Sequence, residues 1–165
     1  MRQATNPADD ETADTLPPAC SGVPSAKRRP TRVLLVEPAP LIRHFITRAL
    51  SVTGYEVHAV ATLAEAEGML GWPPELVLTE LYLADGSGDA VCQRVRARLG
   101  VRVPVVLMSR GSEHDLARRA ERCDADRCFS KMQGLNVLLP IVHALALEVE
   151  YERREPLELE VGLER

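Results

Sequence analysis

Five short strand-like stretches, three of them nearly continuous apolar runs that stop at a polar residue, alternate with helix-like stretches and constrain this chain more than any other feature. Val33-Leu34-Leu35-Val36 halts at Glu37-Pro38, and Leu76-Val77-Leu78 runs into Glu80. Val103 to Met108 ends at Ser109, a weaker run from about Asp126 to Ser130 precedes Lys131, and Tyr55 to Val60 supplies the remaining run. Continuous apolar runs of this length read as strands buried on both faces of a parallel sheet. Between them, apolar residues recur at helical spacing: Leu41, Ile42, Phe45, Ile46, Ala49 and Leu50 form one stripe closed by Gly54. Leu63 to Leu70, the set Val91, Val95 and Leu99, and the set Leu116, Ala117 and Ala120 predict three further helices. A last helix is predicted from near Asn136 to about Tyr151, with Pro140 tolerated close to its first turn. Parallel neighbours need crossovers and helices supply them, so the expected fold is α/β, an open doubly wound sheet with helices on both faces. In such sheets the functional site lies beyond the carboxyl ends of the strands. Glu37, Glu80, Ser109 and Lys131 should therefore meet at one spot.

The flanks read differently. Residues 1–30 are rich in Pro, Ala, Thr and Asp without apolar periodicity, and are expected to be a disordered leader ending in Lys27-Arg28-Arg29. Residues 31–150 should form the domain, and residues 151–165 an acidic tail that could fold back on the arginines. The net charge of −4 is uneven: Arg2 faces Asp9, Asp10, Glu11 and Asp14, and residues 148–165 hold seven Glu against three Arg, which leaves the middle mildly basic. That balance argues against broad nucleic-acid binding. No apolar run is long enough to span a bilayer and the first residues lack the pattern of a secretory signal, so a cytoplasmic, membrane-free protein is expected.

Cys20, Cys92, Cys123 and Cys128 form no CxxC pair, and His44, His58, His114 and His143 form no i, i+4 pair, so free thiols and no metal site are expected. Another reading, a small-molecule or nucleotide-binding flavodoxin-like domain, would need a phosphate-cradling glycine loop after the first strand, where Glu37-Pro38-Ala39-Pro40 has no glycine and loses two N–H donors to proline. Hydrolase chemistry finds no nucleophile–His pair in a recognisable context.

The segments VLLVEPAPLIR (33–43), LVLTELYLADGSG (76–88), VPVVLMS (103–109) and FSK (129–131) resemble the receiver domain of bacterial response regulators, the module that accepts phosphate from a histidine kinase. The resemblance covers roughly residues 31–147. It implies a five-stranded sheet in the order 2-1-3-4-5 and a role in two-component or phosphorelay signalling. Glu80 matches the phosphoacceptor, Glu37 and Pro38 the paired acidic positions, Ser109 the hydroxyl position, Lys131 the lysine, and Gly88 the glycine eight residues after the acceptor. Cys128 stands at the aromatic switch position, Ala84 and Met132 where prolines are frequent.

The departures are chemical. Pro38 offers no side-chain oxygen, so one Mg²⁺ ligand is lost, and Mg²⁺ binding is expected to be weak or absent, with no other cofactor. Glutamate sets its carboxylate one methylene further out than aspartate, and a shift of about 1 Å can cost about a hundredfold when groups must react in line. Glu37, Glu80 and Lys131 carry one net negative charge, so an ion pair of Lys131, with Glu80 the expected partner, should form without metal, and Ser109 should donate to Glu80. The expectation is a stand-alone, non-enzymatic pseudo-receiver that works by protein–protein interaction; the alternative is a working phosphoacceptor at position 80. Cys128 is expected to be a small buried filler, with a redox pairing to Cys123 as the other reading. The partners would be signalling proteins, a histidine kinase or a downstream effector, with no DNA-binding domain. Arg118, Arg119 and Arg122 are expected on the face formed by the fourth helix, fifth strand and fifth helix, the usual partner or homodimer surface of the family.

Overall fold

The computed structural model describes residues 29–100 and 102–153, so the leader before Arg29 and the tail beyond Arg153 lie outside the described residues. Five parallel strands form one sheet: β1 (Arg32–Val36), β2 (Glu56–Val60), β3 (Leu76–Glu80), β4 (Val105–Ser109) and β5 (Arg127–Ser130), in the order β2-β1-β3-β4-β5. The helices are α1 (Pro40–Val52), α2 (Leu63–Met69), α3 (Gly88–Leu99), α4 (Glu113–Cys123) and α5 (Leu135–Glu152). This is the doubly wound sheet expected from the alternation, in the strand order that the receiver resemblance implied, a flavodoxin-like fold.

Alternation along the central strands divides the core in two. Leu34, Val36, Val77, Val105 and Leu107 face Ala66 of α2, Val91 and Val95 of α3 and Leu116 of α4. Val33, Leu35, Leu76, Leu78, Val106 and Met108 face Ile46 and Leu50 of α1 and Leu138, Val142 and Leu145 of α5. Because both faces are covered, β3 and β4 are buried at every residue, which is why they read as unbroken apolar runs.

Several details depart from the sequence reading. The α1 stripe is narrower than its spacing suggested: Ile46 and Leu50 are buried, whereas Leu41 and Phe45 are 67% and 56% exposed. A stripe of adjacent pairs spans more of the helix surface than a single sheet face can cover. Pro140 sits inside α5, which starts at Leu135, so it falls in the second turn and removes the bond its N–H would make to Asn136. The strand that starts at Val105 is preceded by Pro104, which has no N–H to give. Arg29 forms a two-point pair with Glu75 at 2.8 and 3.1 Å. The same carboxylate takes Arg32 N at 3.1 Å and Arg153 Nη2 at 2.5 Å, gathering both ends of the fold.

Between β3 and α3 the chain makes a small antiparallel ribbon, Tyr82–Leu83 against Gly86–Ser87. Gly88 then brings α3 against the end of β3, its N–H bonding Leu81 O at 2.9 Å. A Cβ there would stand 2.5 Å from Leu107 Cδ1 and 2.6 Å from Glu80 O. Gly88→Ala should therefore cost about 2–3 kcal/mol in urea denaturation, while Gly71→Ala, with nothing within 4 Å, should be near neutral. Equal effects at the two positions would contradict this packing.

Candidate functional site

The carboxyl ends of β1, β3, β4 and β5 bring Glu37, Glu80, Ser109 and Lys131 to one edge of the sheet, as expected. They line an open cavity of about 440 Å³ with Pro38, Ala39, Tyr82, Arg110 and Gly111. Ser109 lies in register with Ser130, next to Lys131.

The ammonium of Lys131 lies between the two carboxylates, in ion-pair contact with Glu37 Oε2 and Glu80 Oε2. The expectation of Glu80 as the partner is thus half of what forms. The side chains of Lys131, Glu37 and Glu80 are only 8%, 1% and 9% exposed in these pairs. The remaining carboxylate oxygens are held alike: Glu37 Oε1 accepts from Ala39 N at 3.0 Å and Glu80 Oε1 from Tyr82 N at 3.2 Å, each two residues on. Every carboxylate oxygen has a partner within the chain, which suits buried charge.

These residues do not fit Mg²⁺. Near-octahedral oxygen ligation at about 2.0–2.1 Å would need the carboxylate oxygens that Lys131 and two backbone N–H groups hold, and Pro38 offers no side-chain oxygen to replace them. The ammonium brings its own positive charge to the place where the two carboxylates meet. Among the described residues, no group of three or more His, Cys, Asp or Glu is placed to hold a metal.

Ser109 does not donate to Glu80 as expected. Its Oγ accepts from Gly111 N at 3.1 Å, closing the turn after β4, an example of a short hydroxyl side chain bonding its own backbone. Cys128 is exposed rather than a buried filler, because the edge strand β5 buries only its last two residues. Its thiol is pushed up by partial burial and by the Glu113 carboxylate, which opposes thiolate chemistry. Cys123 meets Cys92 instead: Cys92 Sγ donates to Cys123 O at 2.7 Å, and both residues are buried. Cys20 lies outside the described residues.

Arg119 turns away from β5 and α5, and Arg118 and Arg122 line a pocket with it and Tyr82. Arg119 pairs with Asp89 in the first turn of α3 at 2.9 Å. The β5–α5 side of α4 instead carries Glu113, bonded to Gln133 at 3.1 Å, and one and two turns further on Ala117 and Glu121.

Two positioning side chains escaped the sequence reading. Arg43 Nη1 donates to Glu37 O at 2.6 Å and Pro38 O at 3.1 Å, tying α1 to the turn after β1. Asp85, in the loop of the ribbon, accepts from Leu63 N at 2.8 Å and Ala64 N at 2.9 Å, capping α2 from outside beside the helix's own Thr62–Glu65 capping box. The Ala84-Asp85-Gly86 turn was the only signal for Asp85, and nothing marked its target.

The family model described as response regulator receiver domain matches residues 33–143. The chain is 36% identical over 111 residues to the sensor histidine kinase TmoS of Ectopseudomonas mendocina, an alignment that covers 65% of this chain and 11% of that protein. The chain therefore spans about a tenth of the length of this curated relative. Its fold is similar to the signal receiver domain of an HD domain-containing protein from Pseudomonas fluorescens Pf-5, with TM-score 0.70, 21% identity, and 81% of this chain and 98% of that one covered. It is also similar to Vibrio cholerae chemotaxis protein CheY4, with TM-score 0.66, 18% identity, and 70% and 98% covered. At these identities the likeness to the solved structures concerns the fold.

Lys131→Met should leave two buried carboxylates facing each other and cost about 3–5 kcal/mol in urea denaturation; adding Glu37→Gln should recover part of it. A loss under about 1 kcal/mol would contradict the bridge. Asp85 provides a pH test. Hydrogen bonds from Ala64 N and Leu63 N hold its carboxyl below the usual range, so its support of α2 is present above the unfolded-state pKa of about 3.9 and fades as pH falls through the lower folded value. The stability gap between the native chain and Asp85→Ala should be constant from neutral pH to about pH 5 and shrink below about pH 4; a gap that widens in acid would contradict it.

Proposed function

Because the chain belongs to the response regulator receiver family, we propose that it is an atypical receiver in two-component signalling whose state is set by its own lysine rather than by phosphorylation. The receiver fold and the signalling context follow from the family match. The observation that carries the finer reading is the Lys131 bridge between Glu37 and Glu80. In phosphoryl transfer, a cation must neutralise charge on the moving group while the acceptor oxygen is free to attack in line. Here the acceptor-position carboxylate is spanned by Tyr82 N and Lys131, and Ser109 is turned to Gly111. A single carboxylate charge is also less than the nearly two of a phosphoryl group, so the site supports a fixed conformation more readily than a switch.

Such a domain acts by binding other signalling proteins, a kinase or a downstream effector, and we propose no catalysis of its own. A homodimer through the α4–β5–α5 side would use Ala117, Glu121 and the exposed Cys128. No helix among the described residues is long and apolar enough to cross a membrane.

Acetyl phosphate and Mg²⁺ added to the purified chain should leave its intact mass unchanged. Gain of one phosphoryl group, lost again in Glu80→Gln, would establish instead that position 80 is a working acceptor.

A further inference from the structure

Asp115, Arg118, Arg119 and Arg122 recur at i, i+3, i+4 and i+7 along α4, a single helical stripe. With Tyr82 they line a concave pocket of about 350 Å³ between α4 and the ribbon that leads into α3. A solvated charged face is the ordinary explanation of such a stripe, and two observations go beyond it. The first is the aromatic ring. Tyr82 remains 62% exposed although the Arg119 guanidinium lies over it at 5.8 Å, and Arg119 is itself anchored to Asp89 at 2.9 Å. The second is spare positive charge. Arg118 makes only a surface pair with Asp115, the two side chains being 66% and 61% exposed, and Arg122 has no acidic partner among the described residues.

Arg118 and Arg122 are one turn apart, about 6 Å along the axis. Two guanidiniums at that spacing suit a phosphate, whose oxygens they can hold by paired N–H bonds. The open Tyr82 ring beside them is a platform for a planar base. A cavity near the lower end of the usual small-ligand range, about 300–1,000 Å³, takes one nucleotide rather than two. We propose that this pocket is a nucleoside-phosphate site, with the phosphate on Arg118 and Arg122 and the base stacked on Tyr82. It is distinct from the proline-blocked loop after β1, where no such site forms.

The pocket is joined to the candidate site. Tyr82 N donates to Glu80 Oε1 at 3.2 Å, and the Arg119 anchor Asp89 follows Gly88, whose N–H bonds Leu81 O at 2.9 Å. A ligand that shifts the Tyr82 ring acts on the segment that carries Glu80. Binding itself does not depend on the proposed function; its use as an input in place of phosphorylation does rest on that reading.

Calorimetric titration of the full chain with AMP, GMP, adenosine, inorganic phosphate and a glutamate-rich peptide tests the assignment. The monophosphates should bind at least tenfold more tightly than adenosine or phosphate alone. Arg118→Ala with Arg122→Ala should lose at least tenfold, and Tyr82→Ala should erase the preference for monophosphate over inorganic phosphate; circular dichroism checks that these surface variants fold. No uptake of either monophosphate, phosphate bound as tightly as AMP, or binding of the peptide alone would overturn the proposal. Failure here is separable from failure of the lysine bridge, which is read by denaturation and by phosphodonor treatment.

Discussion

One ammonium group organises the carboxyl edge of this sheet. Lys131 follows β5, Glu37 follows β1 and Glu80 ends β3, so the contact joins the outermost strand on one side to two central ones. A parallel sheet aims the ends of all its strands in one direction, which crowds like charges there unless something neutralises them. In a buried setting either carboxylate left alone would be costly. The lysine removes that cost by pairing with both carboxylates.

The surroundings make the arrangement stiff. Each glutamate is gripped by the backbone N–H two residues downstream, and Arg43 holds the Glu37 and Pro38 carbonyls from α1. Gly88 lets α3 close directly over the end of β3, leaving no room for even a methyl group. Asp85 links the same connection to α2. On the α4 side of the same connection, the Tyr82 ring stays largely exposed.

The fold was largely legible in the sequence because a doubly covered parallel sheet writes itself as unbroken apolar runs, and because Glu37, Glu80, Ser109 and Lys131 each stand where a run stops. What could not be read is rotational and rotameric. Whether Lys131 meets one carboxylate or both depends on side-chain reach across three strands. Ser109 was expected to face Glu80, but a backbone N–H two residues away is a nearer partner. For the arginines of α4, spacing reveals that residues share a stripe, not which neighbour the stripe faces; the Asp89 contact decides that for Arg119. Cys128 was judged by residue type, whereas an edge strand leaves its outer positions exposed.

The central claim is that the lysine stands in for the metal. Titration calorimetry of Mg²⁺ into the full chain near neutral pH addresses it most directly. The bridge predicts no saturable uptake through the low millimolar range. One-to-one binding with a Kd of about 1 mM or tighter would mean that Lys131 yields its place to the ion, and would contradict the account.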